Sequence, residues 1–104
     1  PPAPPAPSEA EAEMARLVYT PLDDAAKLSR TLRSVQGPAT LHSLMKFEVL
    51  NFSDGTRNAW EVYEAVAAEA LSAGAWYYGT VGPADVRAVL DSAVRVGAYE
   101  KTER

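Results

Sequence analysis

The sequence has 104 residues, which is enough for one domain and too few for two. Hydrophobic residues make up 47% of it and charged residues 23%, as in an ordinary globular protein. The net charge of −4 argues against a nucleic-acid or anionic-membrane partner, because both attract a basic surface. The chain has no cysteine, which excludes disulfides, thiolate metal ligands and a cysteine nucleophile.

Composition divides the chain into three parts. Five of the eight prolines lie near the start, so we expect residues 1–8 to form a Pro/Ala-rich linker in extended conformation. Residues 9–99 are expected to form a single helical domain, and residues 100–104 a charged tail. No run of about 18 apolar residues is present, so no membrane-spanning helix is predicted. Because the chain begins at Pro1 without a methionine, we expect a fragment or processed product of a longer protein.

Capping signals predict two helices in the first third of the domain. Ser8 lies three residues before a glutamate, the spacing of a capping box, and apolar residues at helical spacing follow. A first helix is therefore expected over residues 9–18. Thr20 followed by Pro21 is typical of a helix start, and the glycine–proline pair at 37–38 is typical of a stop. A second helix is expected between them.

A third helix is expected over residues 41–52, with Thr40 as its cap. Its apolar residues have near-helical spacing, and Phe47 and Leu50 widen the apolar face, which favours burial on two sides. His42 is the only histidine of the chain. A lone histidine favours a capping or surface role over metal binding or catalysis.

A polar turn at residues 53–55 separates this segment from the next. Asp54 and Gly55 form a turn dipeptide, because glycine supplies positive φ and aspartate bonds its own backbone. A turn role is therefore favoured over a catalytic carboxylate. Asn58 is a good N-cap, and Glu61 can reach back to its backbone N–H, as in a capping box. These residues are predicted to fix the turn and the start of the following helix.

The remainder of the sequence predicts two more helices. One is expected over residues 59–73, and the other from Gly82-Pro83 to Gly97. Aromatic and β-branched residues at 76–81 predict an extended stretch, and residues 98–99 a final short strand. The predicted fold is mainly α: a small helical bundle with a helix-turn-helix or winged-helix-like C-terminal half and at most a short two-stranded wing.

Aromatic residues supply the candidate interface, which consists of Trp60, Trp76, Tyr77 and Tyr78. Consecutive aromatic residues in an extended segment cannot all face one core, so at least one is expected on the surface, where aromatic residues mark interfaces. The alternative is that Trp76 and Tyr78 are buried and Tyr77 is an isolated surface ring.

No set of residues with the pattern of a catalytic or metal site is present. The sequence has no Gly-rich phosphate loop and no serine in a nucleophile-elbow context. Residues 51–104 contain eight acidic and five basic residues, so a recognition helix there would meet DNA phosphates with little net attraction. We therefore predict neither catalysis by this chain nor nucleic-acid binding.

The stretch of residues 48–62, EVLNFSDGTRNAWEV, resembles a pattern in which Leu-Asn precedes Asp-Gly, an arginine and the start of a helix. Together with residues 77–83, YYGTVGP, it is similar to the C-terminal winged-helix-like accessory module of bacterial di-zinc aminopeptidase-type metallopeptidases. The resemblance covers roughly residues 44–99. Asn58 and Trp60 depart from the pattern.

This resemblance implies a non-catalytic domain that packs on a peptidase domain in the same chain, or that binds another protein or peptide. It implies that the zinc of the parent enzyme is held by His, Asp and Glu ligands upstream, so this chain itself has no cofactor. It also implies an extracytoplasmic or secreted protein. A second resemblance, to small winged-helix modules that hold leader peptides for peptide-modifying enzymes, implies instead a stand-alone peptide-binding module that works by strand addition.

Overall fold

The computed structural model describes residues 8–104, with the side chains of residues 75–77 excepted. Within that range the chain forms five helices and two strands, which follow one another as α1 (Glu9–Met14), β1 (Leu17–Pro21), α2 (Ala25–Leu32), α3 (Ser43–Phe52), α4 (Ala59–Tyr78), α5 (Pro83–Arg95) and β2 (Tyr99–Glu103). The predicted fold class is confirmed: the chain is mainly helical and carries one small sheet. Apart from Ser8, the predicted linker lies outside the described residues.

The first helix is shorter than predicted, because a strand follows it. The Ser8 hydroxyl accepts a hydrogen bond of 3.1 Å from the Glu11 N–H and caps the start of α1. The helix ends at Met14, so the prediction of helix through residue 18 is wrong. Residues 17–19 are all buried in β1, and three consecutive buried residues require both faces of the segment to be covered. A half-buried helix does not provide such an arrangement.

The two strands join the two ends of the domain. β1 pairs with β2 in antiparallel register, with Leu17 opposite Glu103 and Pro21 opposite Tyr99. The predicted charged tail is therefore wrong for residues 100–103, which continue the predicted short strand. Backbone hydrogen bonds join the residue pairs 22–98 and 16–104, which flank the ladder. Because hydrogen-bonded and non-bonded pairs alternate along antiparallel strands, Pro21 occupies a position where no N–H is donated to β2. Proline is tolerated in β1 for that reason.

The second helix begins later than predicted. Thr20 and Pro21 belong to β1, and α2 starts at Ala25 with Asp24 as its N-cap. A carboxylate oxygen of Asp24 accepts a hydrogen bond of 3.0 Å from the Lys27 N–H. The helix ends at Leu32, ahead of the predicted glycine–proline stop, and none of its residues is fully buried. It therefore packs only lightly on the domain.

The third helix is capped by His42 rather than Thr40. The His42 Nδ1 accepts a hydrogen bond of 3.1 Å from the Leu44 N–H, and the ring lies 4.9 Å from that of Tyr78 in an edge-to-face contact. The prediction that α3 is buried on two sides is wrong. Met45 and Val49 face the core, but Leu44 and Phe47 are 52% and 62% exposed.

The fourth helix is regular up to Gly74, where φ is 122°. The predicted break at this glycine is confirmed, but residues 75–78 then continue in helical conformation, so the predicted extended stretch is wrong for residues 76–78. A helical turn satisfies its backbone groups locally, whereas a strand here would need a partner. The two strands of the described chain already pair with each other.

The last helix has the boundaries that its sequence predicts. Asp85 accepts a hydrogen bond of 2.9 Å from the Gly82 N–H at the start of α5, and Pro83 occupies the first turn. At the end, Gly97 has φ of 82°, and the Ala98 N–H donates to the Ala93 carbonyl at 2.9 Å. This is the hydrogen-bond pattern of a Schellman motif, which turns the chain into β2.

One hydrophobic core joins both halves of the domain. Its fully enclosed side chains come from α1, β1, α3, α4 and α5, and the largest of them are Tyr19, Met14, Leu90, Val49, Val62, Val66, Val86 and Val89. The sheet closes one side of this core. β1 lies between β2 and an isolated bridge from Val18 to Asn58, so the N-terminal strand completes the winged-helix-like arrangement of α3, α4, α5 and β2.

Candidate functional site

The turn between α3 and α4 brings together the residues predicted to shape it. One Asp54 carboxylate oxygen accepts hydrogen bonds from the Thr56 N–H at 2.9 Å and the Thr56 hydroxyl at 2.6 Å. These bonds are the main reason that the pKa of Asp54 lies below its ordinary value. The other oxygen lies 3.5 Å from the Arg57 guanidinium. The carboxylate therefore has partners within its own turn, where it serves to fix the backbone.

Gly55 and the capping pair complete this turn. Gly55 has φ of 90°, and a Cβ atom there would lie 3.0 Å from the Thr20 side chain. The Asn58 side chain accepts from the Glu61 N–H at 2.8 Å, and the Glu61 carboxylate accepts from the Asn58 N–H at 2.9 Å. The reciprocal bonds satisfy backbone donors at the start of α4.

The four candidate interface aromatics do not form one described surface. Trp60 is half-buried against the core, and its ring lies 4.8 Å from that of Tyr63. Tyr78 is also half-buried and contacts His42. The side chains of Trp76 and Tyr77 lie outside the described part of the chain. Trp60 and Tyr78 thus each contact another ring, and the interface role of the four residues stays a prediction.

A polar cluster that the sequence analysis missed links β1 to α5 and α1. The Tyr19 hydroxyl donates to Asp91 at 2.6 Å, and the Arg87 guanidinium lies 2.9 Å from Glu13 and 3.6 Å from Asp91. The bond to Glu13 is the main cause that raises the pKa of Arg87. Two carboxylates thus neutralise the one cation, and the cluster joins three elements. Arg87 and Asp91 are four residues apart on α5, but Glu13 and Tyr19 lie about 70 residues away from them, so no local pattern reveals the cluster.

An open groove lies between α2 and α3 and is lined mainly by apolar side chains. It has a volume of about 470 Å³. Leu28 and Leu32 of α2 line one wall, Phe47 and Leu50 of α3 line the other, and Tyr99 of β2 also contributes to the lining. The sequence analysis did not predict an open groove here. Leu28, Leu32 and Leu50 are only half-buried, so the groove exposes part of the apolar surface of both helices.

The groove also has basic residues in its lining. Arg33 and Lys46 contribute to it, and the Lys46 ammonium donates to the Val35 carbonyl at 3.3 Å. Since a lysine ammonium has three N–H donors, this one bond leaves it able to bind a further acceptor. The lining of the groove therefore combines apolar side chains with two cationic ones.

Neither a metal site nor a membrane span is found in the described part of the chain. Within residues 8–104, no group of three or more histidine, aspartate or glutamate side chains is placed to hold a metal ion. None of the helices in the same range has both the length and the apolar character that crossing a membrane requires.

The sequence was also compared with known proteins. No family model matches it, and neither a curated protein nor a solved structure matches it. The resemblance of residues 48–62 to the peptidase accessory module remains an expectation from those residues.

Proposed function

We propose that this chain is a non-catalytic accessory and interaction domain of a longer bacterial zinc peptidase. The observation that carries the interaction role is the outer surface of α3, where Leu44 and Phe47 lie three residues apart and are more than half exposed. Phe47 also lines the groove between α2 and α3, so exposed apolar side chains lie both on the helix and in the groove. Surfaces of this kind mark sites of protein association.

The link to a zinc peptidase is supported by residues 48–62. This stretch forms the end of α3, the turn and the start of α4, and its Asp54, Asn58 and Glu61 side chains bond to the local backbone. The stretch is thus a structural unit that holds two helices in a fixed relationship. A unit of that kind suits a domain that presents a surface to a neighbouring peptidase domain.

A stand-alone peptide-binding module is the second candidate, and the edge of β2 favours it. The residue pairs 16–104 and 22–98, which flank the ladder, are joined by backbone hydrogen bonds. Hydrogen-bonded and non-bonded pairs alternate along an antiparallel ladder, so the N–H and C=O groups of residues 99, 101 and 103 point away from β1. An extended peptide could add there as a further strand. The exposed charged residues of β2 oppose it, since charges on an edge strand discourage pairing, and the interaction-domain proposal therefore comes first.

The test of the first proposal is an activity measurement on the native product. The product is isolated from its source cells with an antibody against this domain and incubated with aminopeptidase substrates. We expect release of N-terminal residues that a zinc chelator abolishes, and no release by the isolated 104-residue chain supplied with zinc. A native product without chelator-sensitive activity would contradict the proposal, and so would zinc-dependent activity of the isolated chain.

A further inference from the structure

This acidic chain has one segment that carries basic residues and no acidic ones, and that segment lines part of the groove. Residues 25–47 contain four of the ten basic residues and none of the fourteen acidic ones. This segment comprises α2, the connection after it and the first half of α3. An acidic protein therefore has one locally basic region, and the exposed Phe47 lies within it.

The two cations that line the groove have no carboxylate neighbour that neutralises them. Neither Arg33 nor Lys46 forms an ion pair with a described residue. Asp54 also lines the groove, but its oxygens are bonded to Thr56 and face Arg57 within the turn. The groove thus combines apolar walls with positive charge, and its one lining carboxylate has partners of its own.

We infer that the groove between α2 and α3 binds an acidic amphipathic helix of a partner protein. This inference rests on the proposed role of the chain as an interaction domain and names the partner chemistry. Leu28 and Leu32 are four residues apart on α2, and Phe47 and Leu50 three apart on α3, so each wall presents a ridge at helical spacing. A third helix can lay its own apolar face between the two ridges.

Carboxylates on such a helix would face Arg33 and Lys46 and fix its orientation. Charged groups at the edge of an interface contribute mainly to selectivity and association rate, while the apolar contacts supply most of the affinity. The groove is concave and flanked by two helices, which suits a rod-like segment rather than the plane of a lipid surface.

The binding experiment uses the full 104-residue chain and three synthetic peptides. Each peptide forms an amphipathic helix of about 16 residues with leucines on one face, and the other face carries glutamate, glutamine or lysine. Amide chemical shifts locate the binding site, and calorimetry gives the affinity. We expect shifts in α2 and α3, and binding of the glutamate peptide about tenfold tighter than the glutamine peptide at low salt, as two exposed ion pairs allow.

Two pairs of variants separate charge from apolar contact. Arg33→Gln combined with Lys46→Gln should remove the preference for glutamate over glutamine, while Lys27→Gln combined with Arg30→Gln, on the same region but outside the groove lining, should retain it. Phe47→Ser should weaken the binding of all three peptides at least tenfold. Leu71→Ser serves as its control, because Leu71 is 74% exposed on α4 and lies outside the groove lining.

The outcomes distinguish this inference from the proposed function. Equal affinity for the glutamate and glutamine peptides, with shifts still in α2 and α3, would overturn the acidic selectivity and leave the interaction role standing. Binding of phosphatidylserine-containing vesicles without binding of any peptide would overturn the inference in favour of a lipid surface. Absence of all binding would also overturn it, and the peptidase assay would still decide the proposed function.

Discussion

The buried hydroxyl of Tyr19, on β1, donates a hydrogen bond of 2.6 Å to the carboxylate of Asp91, on α5. Tyr19 is enclosed by the core, and Asp91 is half-buried and also faces Arg87. This one bond connects the N-terminal strand to the last helix. It therefore ties the first strand of the sheet to the winged-helix-like half of the domain.

Replacing Tyr19 with phenylalanine removes this bond and little else. We expect Tyr19→Phe to lower the free energy of unfolding by about 1.5 kcal/mol, the usual contribution of a hydrogen bond to a charged acceptor. The matched control is Tyr63→Phe, since the Tyr63 ring packs on Trp60 and the structure records no hydrogen bond for its hydroxyl within the described residues. Urea unfolding of both variants measures the difference, and equal losses would show that the Tyr19 bond contributes nothing specific.

Ionisation of the same tyrosine should lower the stability of the protein at alkaline pH. Burial, followed by the bond to Asp91, raises the pKa of Tyr19 above its ordinary value of 10.0. A group with a raised folded pKa contributes stability that is complete below the unfolded pKa and is lost as the pH rises above it. Between about pH 9 and pH 11 the natural protein should lose about 1 kcal/mol more than Tyr19→Phe. Tyr99, whose pKa burial also raises, adds a similar decline to both proteins. Parallel declines in the two proteins would refute the assignment to Tyr19.

Steric crowding at Gly55 should make a side chain at this position destabilising. Its φ of 90° opposes any side chain, and so does the distance of 3.0 Å that would separate an added Cβ atom from Thr20. We expect Gly55→Ala to cost about 2 kcal/mol or more, and Gly79→Ala, where φ is 73° but nothing lies within 4 Å, about 1 kcal/mol. Adding Thr20→Ala to Gly55→Ala should recover part of the loss. Thermal unfolding of the three variants checks this order, and a Gly79 variant as unstable as the Gly55 variant would contradict it.

The capping pair at the start of α4 makes the fourth prediction. Asn58→Ala should destabilise the protein by about 1 kcal/mol, because it leaves the Glu61 N–H without its acceptor. Glu61→Ala removes the reciprocal bond, and the double variant shows whether the two bonds reinforce each other. Glu64→Ala, one turn further along and exposed, should change the stability by less than about 0.5 kcal/mol. If Glu64→Ala lowered the free energy of unfolding as much as Asn58→Ala, the loss at Asn58 could not be assigned to the cap.

Local signals in the sequence predicted the features that depend on neighbouring residues. The bonds between Asn58 and Glu61, the stop at Gly97 and the cap at Ser8 all involve partners within a few positions, so a short stretch contains the information. The strand at residues 17–21 could not be predicted in this way. Its partner lies at residues 99–103, and helical spacing of Met14 with the residues after it was an equally good local description.

The candidate site was only partly accessible from the sequence, for a related reason. The aromatic residues suggested an interface, but Trp60 and Tyr78 are engaged in packing. The groove depends on how far α2 stands from α3, which no spacing within either helix determines. The run of basic residues without carboxylates in residues 25–47 was the one available signal for it.

The most direct test of the central claim is the intact mass of the native product, detected in its source cells with an antibody against this domain. We expect a mass several times the 11.2 kDa of this chain, because the proposed function assigns a catalytic domain to the same protein. A mass near 11.2 kDa would contradict the claim that the domain is an appendage of a longer peptidase, and would make stand-alone peptide binding the leading hypothesis.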